Sequence, residues 1–187
     1  VSVRQLLHGI VTLSGNDATV VLAECISGNE ASFVALMNRQ SRAIGLRNSH
    51  WGNPVGWPDN GVTYTTARDL AIFSQMMLSG GRFGGSRILR ASTVAALATR
   101  QPGAEERALG WDTPAERSSA GRYFSATSYG HTGYTGTSIW IDPERDLFVA
   151  LHTNRTYTDA AASAILDPRI ALHEAVVRAI SDQPINR

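Results

Sequence analysis

Apolar positions recur three and four residues apart through the first 44 residues, and after about residue 101 they give way to runs of adjacent β-branched and aromatic side chains. Ser2 with Gln5 forms a capping-box signature, and Val3, Leu6, Leu7, Ile10 and Val11 follow at helical spacing, so a first helix is predicted at once. Residues 13–15 interrupt it. Asn16 or Ser14 can cap a second helix that runs to about Ile26 and is closed by Gly28. A third is predicted over about residues 30–44, with Phe33, Val34, Leu36 and Met37 inward and Gly45 as the stop. Residues 47–63 are rich in Asn, Gly, Pro and Trp and have no period. They read as a long loop, and long loops in compact domains more often carry function than not. Thr66 with Asp69 opens a helix to about Leu78, stopped by Gly80 and Gly81, and residues 92–99 predict a shorter one.

The second half reads as strands over residues 129–134, 137–141 and 147–153, with Asp142-Pro143-Glu144-Arg145-Asp146 as the turn between the last two. Asp142 and Asp146 are taken as turn residues and nothing more. Asp167 caps, Pro168 fits a first helical turn, and residues 170–180 close the sequence as an amphipathic helix. Helices, then a three-stranded antiparallel meander, then a C-terminal helix predict an α+β (α/β layered) fold. At 187 residues the length predicts a single domain, 1–187, with a helical part over 1–75 and a sheet-bearing part over 76–187.

Composition narrows the function classes. Apolar residues make up 43%, enough for a core, while charged residues are 18%, below the roughly 25% of an average domain. Seventeen basic against sixteen acidic side chains leave a net charge of +1 with no basic run, so nucleic acid and anionic membrane are not expected partners. No apolar stretch approaches the roughly 18 residues of a membrane span, so none is expected. The chain opens directly into a helical pattern, and no signal peptide is expected in it. All seventeen basic residues are arginine; the sequence holds no lysine. Any mechanism that needs a lysine amine is therefore closed to these residues acting alone.

Single residues are settled next. Cys25, the lone cysteine, excludes an internal disulfide and, within an apolar run, is expected to be a buried packing residue. His8 and His173 read as surface or core residues, and His50 and His152 have no neighbour at metal-ligand spacing, so no metal is expected. Trp51 and Trp57 flank the Gly-Asn-Pro loop as packing residues, and Arg155 could face a cleft and pair with a carboxylate.

Ser14-Gly15-Asn16-Asp17-Ala18, at the break between two predicted helices, has a chemical reading. A hydroxyl and a carboxamide two residues apart on a tight turn can face one cleft, the serine relaying a proton and the asparagine donating to a substrate carbonyl. The same residues are also ordinary turn and cap chemistry. Residues 2–57, with this Ser-x-Asn segment and the loop Asn53-Pro54-Val55-Gly56, resemble the low-molecular-weight D-alanyl-D-alanine carboxypeptidases, which are penicillin-binding proteins; the resemblance extends over about residues 2–75. The segments LSGGRFGGSRIL and GHTGYTGTSIWIDPERDLFVALHTNR resemble a second branch of that superfamily, the class C β-lactamases and related esterase-like serine hydrolases. The two resemblances meet near residues 64–70, as in a recombinant of two related families.

The resemblance implies a β-lactamase/transpeptidase-like fold that lacks the N-terminal strands and nucleophile helix, and a site with catalytic Ser14 and Asn16 and substrate-binding His131, Thr132 and Gly133. His131 stands where most of these enzymes carry lysine; histidine is mostly neutral at pH 7 and holds a carboxylate less strongly. The family mechanism also uses Ser-x-x-Lys, one helical turn apart, so that the amine takes the hydroxyl proton. With no lysine, the chain is expected to be inactive alone: a partial serine acyl-transferase domain for peptidoglycan peptides, β-lactams or esters, with no cofactor. The alternatives are hydrolysis by a Ser14–His131 pair oriented by Asp17 or Asp142, and a recombined or designed scaffold without catalysis. The shortened sheet implies an exposed strand edge and hence a homo-oligomer or strand-swapped assembly. The family implies a periplasmic or extracellular location.

Overall fold

The computed structural model describes residues 1–103, 106–116, 118–158 and 161–180. The backbone divides into two compact units: Val1–Phe73 with Phe83–Ser86, and Ser74–Arg82 with Arg87–Arg187.

The first unit begins with α1 (Val3–Leu13), α2 (Asn16–Ser27) and α3 (Glu30–Ala43), α1 packing on α2 and α2 on α3. The capping box at Ser2 and Gln5 forms as predicted, each satisfying the other's backbone N–H. The cap of α2 does not. Gly15 occupies the N-cap position without a side-chain bond, and Ser14 instead ends α1 in the left-handed region at φ 53°. Asn29 caps α3 by accepting the Ser32 N–H at 2.8 Å. Phe33, Val34, Leu36 and Met37 are half-buried; the fully covered residues of α3 are polar, Asn38 and Ser41. Asn38 clasps the following loop, accepting the Trp51 N–H at 2.9 Å and donating to the Trp51 carbonyl at 2.8 Å, while the Trp51 indole N–H donates to Ser41 Oγ. Asp69, buried at the start of α4 (Ala67–Leu78), accepts from the Asn48 N–H and from Ser49 Oγ, both at 2.7 Å. Cys25 is exposed, which corrects the packing role expected for it: α2 turns Ala23 inward and leaves Cys25 and Ile26 on the outer face.

β1 (Arg82–Phe83) and β2 (Ser86–Arg87) form a two-residue hairpin too short to register as a strand pattern. The second unit then carries α5 (Ala91–Ala98), the strands β3 (Tyr129–Thr132), β4 (Gly136–Asp142) and β5 (Leu147–Asn154), and α6 (Leu166–Ile180). The three strands form the expected antiparallel meander in the order β3-β4-β5, with His131 opposite Ile139 and Ile141 opposite Phe148. The fold is α+β, as read from the sequence. Helix α6 begins at Leu166, so Asp167 lies in its first turn rather than capping it.

The core of this unit gathers Ala120, Tyr123, Phe124, Trp140, Val149 and Val177, flanked by Leu147, Leu172 and Val176. Trp140 is fully buried and donates its indole N–H to Ser119 Oγ at 3.0 Å, so its truncation to alanine would cost about 3–5 kcal/mol. Asp142 is far more than a turn residue. Fully buried, it accepts from the Ser125 N–H at 2.9 Å, Ser125 Oγ at 2.6 Å, the Glu144 N–H at 3.1 Å and Arg145 Nη1 at 2.9 Å. Among the described residues no strand pairs with the outer side of β5.

Candidate functional site

Ser14 and Asn16 belong to the first unit. The Ser14 N–H donates to the Ile10 carbonyl at 3.0 Å and the Gly15 N–H to the Gly9 carbonyl at 3.2 Å, which draws the α1–α2 connection into a tight turn. A non-glycine residue held in the left-handed region costs about 1–2 kcal/mol, a strain of the kind found at functional turns. Because neither side chain is consumed in capping, the Ser14 hydroxyl and the Asn16 carboxamide make no hydrogen bond among the described residues. Asn16 lines a cleft of about 610 Å³ together with Asp17, Val20, Glu30, Asn53, Val55 and Trp57; Ser14 lies outside that lining and is exposed.

The far side of the cleft is built by the Asn53 loop. Asn53 Oδ1 accepts from the N–H groups of Val55 (3.1 Å), Gly56 (2.7 Å) and Trp57 (3.1 Å), and Nδ2 donates to the Trp57 carbonyl at 2.9 Å and to Asp59 Oδ2 at 3.2 Å. Hydrogen bonds from the Thr63 hydroxyl, then from its N–H, hold the Asp59 carboxyl below the ordinary carboxylate range. The loop is therefore fixed by its own side chains, yet it leaves the Trp57 ring 63% exposed at the cleft, which corrects the packing role expected for that tryptophan. Sequence reasoning quoted Asn53 as part of a motif but missed that it organises the wall. An asparagine three residues before a glycine was the available signal.

His131, Thr132 and Gly133 belong to the second unit, at the end of β3. Strand alternation sets His131 and Thr132 on opposite faces. His131 is exposed, whereas Thr132 is half-buried and lines a second cleft, of about 380 Å³, with Asp112, Thr113, Ser119 and Arg169 among its walls. The outer edge of β3 is partly closed where Gly130 exchanges both backbone bonds with Asp112, at 2.7 and 2.9 Å. Gly130 has to be glycine, since a Cβ there would meet the Ile139 carbonyl and the Trp140 indole. By the same alternation Thr132 presents its N–H and C=O to this edge.

After Gly133 the chain turns, Gly133 N–H donating to the Thr137 carbonyl at 2.7 Å and Gly136 N–H to the Gly133 carbonyl at 3.0 Å. Gly136 has φ +102°, and a side chain there would collide with Thr153 and Ile165. Two arginines hold the turn. Arg155 Nε donates to the Tyr134 carbonyl at 2.7 Å and its guanidinium lies 4.5 Å from the Tyr134 ring centroid. Arg169, only 7% exposed on α6, donates to the carbonyls of Gly136 (2.9 Å), Gly133 (3.0 Å) and Thr137 (2.9 Å). Burial, then the charge of Arg155, lowers its pKa from the ordinary arginine value. Burial also pushes the neighbouring strand residue Tyr129 up to about 12, so its hydroxyl stays neutral. Asp142 has both oxygens engaged by Ser125 and Arg145, which removes it as an orienter of His131. Among the described residues no three His, Cys, Asp or Glu side chains are placed to hold a metal ion.

Comparison with known proteins gives this arrangement relatives. A family model described as D-alanyl-D-alanine carboxypeptidase matches residues 1–105. The D-alanyl-D-alanine carboxypeptidase DacF of Bacillus subtilis is 43% identical over 77 residues, which is 41% of this chain and 20% of the relative. DacA of Haemophilus influenzae, of the same description, is 49% identical over 72 residues, 38% of this chain and 18% of the relative. The aligned stretch thus spans about a fifth of the curated relatives' length. Among solved structures, a β-lactamase from Mycobacterium bovis superposes with a TM-score of 0.68 at 24% identity, covering 88% of this chain and 63% of that one, which shows a shared fold.

Proposed function

We propose that this chain, which belongs to the D-alanyl-D-alanine carboxypeptidase family, supplies the substrate-binding walls of a serine acyl-transfer site for D-alanyl peptides, with β-lactams and esters as related ligands. In this reading Ser14 relays a proton and Asn16 donates to the substrate carbonyl. In the second unit, taken by itself, Thr132 and Gly133 are assigned to a ligand carboxylate, with His131 at the position where lysine is usual, and the N–H after Gly133 is assigned to a ligand carbonyl. The observation that supports it is the pair of uncommitted polar side chains, Ser14 and Asn16, on the break between α1 and α2.

The 187 residues contain no lysine, so the serine–lysine pair that opens the acyl bond has to come from outside them. The chain alone is then expected to bind without acylating. Work on peptidoglycan places it at the bacterial envelope, outside the cytoplasmic membrane; among the described residues no single helix is long and apolar enough to cross one. The outer edge of β5 is proposed to pair with a strand of a second copy, which sedimentation would register as a dimer or larger species.

Intact-mass spectrometry after incubation with excess benzylpenicillin tests the reading. The expected result is no adduct on a folded chain, with reversible binding detected by titration. An adduct that disappears in Ser14→Ala would make Ser14 the nucleophile. Neither adduct nor reversible binding would move the conclusion to a recombined scaffold without chemistry, the reading that the absence of lysine favours.

A further inference from the structure

We infer that Arg169 is a positioning residue for the substrate strand: by holding the Gly133 carbonyl it aims the Tyr134 N–H at the carbonyl oxygen of the ligand. The inference rests on the proposed role of Thr132 and Gly133.

The argument begins with the peptide plane. In a trans peptide the C=O and the following N–H point in opposite directions, so fixing one fixes the other. The Gly133 carbonyl accepts from Arg169 Nη2 at 3.0 Å and from the Gly136 N–H at 3.0 Å, which turns the Tyr134 N–H away from α6. The next carbonyls are captured as well: Tyr134 by Arg155 Nε at 2.7 Å, and Thr135 by the Arg155 N–H at 2.8 Å and Thr153 Oγ1 at 3.2 Å. Gly136 and Thr137 complete the series through Arg169, each at 2.9 Å. Tyr134 is 80% exposed, and the N–H groups of Tyr134 and Thr135 donate to no group among the described residues.

The choice of arginine carries the second half. A guanidinium has five donors and no acceptor, so it tolerates carbonyls and rejects an inward-flipped N–H. A neutral tether would join α6 to the turn equally well without imposing that polarity. Arg169 is also buried, and the three carbonyls it donates to are neutral, so they carry no opposite charge to offset the cost of burying a guanidinium. Donation from a charge polarises the Gly133–Tyr134 peptide and strengthens its outward N–H as a donor. Arg169 and Thr132 line the same cleft, and the Tyr134 amide follows Thr132 and Gly133 directly in the chain.

The test uses the ¹⁵N-labelled 187-residue chain, with N-acetyl-D-alanyl-D-alanine as the ligand and Arg169→Met and Arg169→Lys as variants. In the wild type the dipeptide is expected to shift the Tyr134 amide resonance. In Arg169→Met its affinity should fall about ten-fold, while the amides of His131 and Ile139 in the β3–β4 register stay in place. Arg169→Lys keeps one charged donor and should lose about three-fold. Lower thermal stability with unchanged affinity would make Arg169 a structural strap and overturn the inference, as would wild-type binding that leaves Tyr134 unmoved. Should the methionine variant fail to fold, unchanged affinity in the lysine variant overturns it equally. If the wild type does not bind the dipeptide, the reading of the substrate strand fails. Arg169 is then judged by the Tyr134 amide resonance alone, which must move in Arg169→Met, where the Gly133 carbonyl loses its charged donor, and return part of the way in Arg169→Lys.

Discussion

His173 Nδ1 lies 2.6 Å from the Ser119 carbonyl oxygen, deep beneath the sheet, and its ring meets Phe124 edge-on at 5.8 Å. The contact makes Nδ1 the protonated nitrogen and leaves Nε2 to face Ser138 Oγ at 3.4 Å. Burial pulls the pKa of His173 below its ordinary 6.5, the Ser119 carbonyl opposes that shift, and the charge of Arg169 adds to it. The unfolded chain therefore takes up a proton near pH 6.5 that the folded chain refuses. Stability should be at its full value above that pH and fall as pH drops from about 6.5 through the lower folded value. Thermal melts from pH 8 to pH 5 check this, and His173→Gln should flatten the profile below pH 6.5.

Asp142→Ala should lower unfolding free energy by about 1–3 kcal/mol, because it leaves the buried Ser125 N–H and hydroxyl without their acceptor. Urea titration reads the loss. Asp142→Asn, which keeps an acceptor oxygen, should cost less.

Ser14→Gly should stabilise the chain by about 0.5–1 kcal/mol, since glycine relieves the left-handed backbone at φ 53° and gives back part of the gain as unfolded-state entropy. The same change removes the hydroxyl assigned to proton relay. A stability gain coupled to weaker ligand binding is the expected pair of results.

Asn53→Ala should lower the melting temperature by several degrees and release the Trp57 wall of the cleft. Tryptophan fluorescence anisotropy and limited proteolysis near Gly56 would show a loosened loop. Loss of three accepted bonds is worth about 1–3 kcal/mol locally.

What could be read from the sequence follows the range of the interactions. The Ser2–Gln5 box and the Gly28 stop are local, and both form as the residues predict. The α2 cap misleads because Ser14, Gly15 and Asn16 all suit a cap, and the backbone settles the choice by placing Ser14 in the left-handed region. Asp142 reads as a turn residue because its decisive partner, Ser125, is seventeen positions away. Arg169 was invisible for a similar reason: an arginine on an amphipathic helix looks solvated, and its three carbonyls are contributed by residues 32 to 36 positions earlier. Cys25 sits in an apolar run whose inner face is Ala23, and periodicity in a short helix does not separate neighbours by side. Native-state alkylation should label it at close to the unfolded rate.

Among the described residues of the first unit only Ala23 and Leu46 are fully covered apolar side chains, while Asn38, Ser41 and Asp69 anchor its loop through polar contacts. A unit held together in this way exposes little new hydrocarbon when it opens. Its heat-capacity increment and its denaturant slope should therefore be shallow for its length. Its resistance to heat would then depend weakly on temperature near the optimum, and calorimetry should find a broad, low transition where a hydrocarbon-filled domain of equal size gives a sharp one.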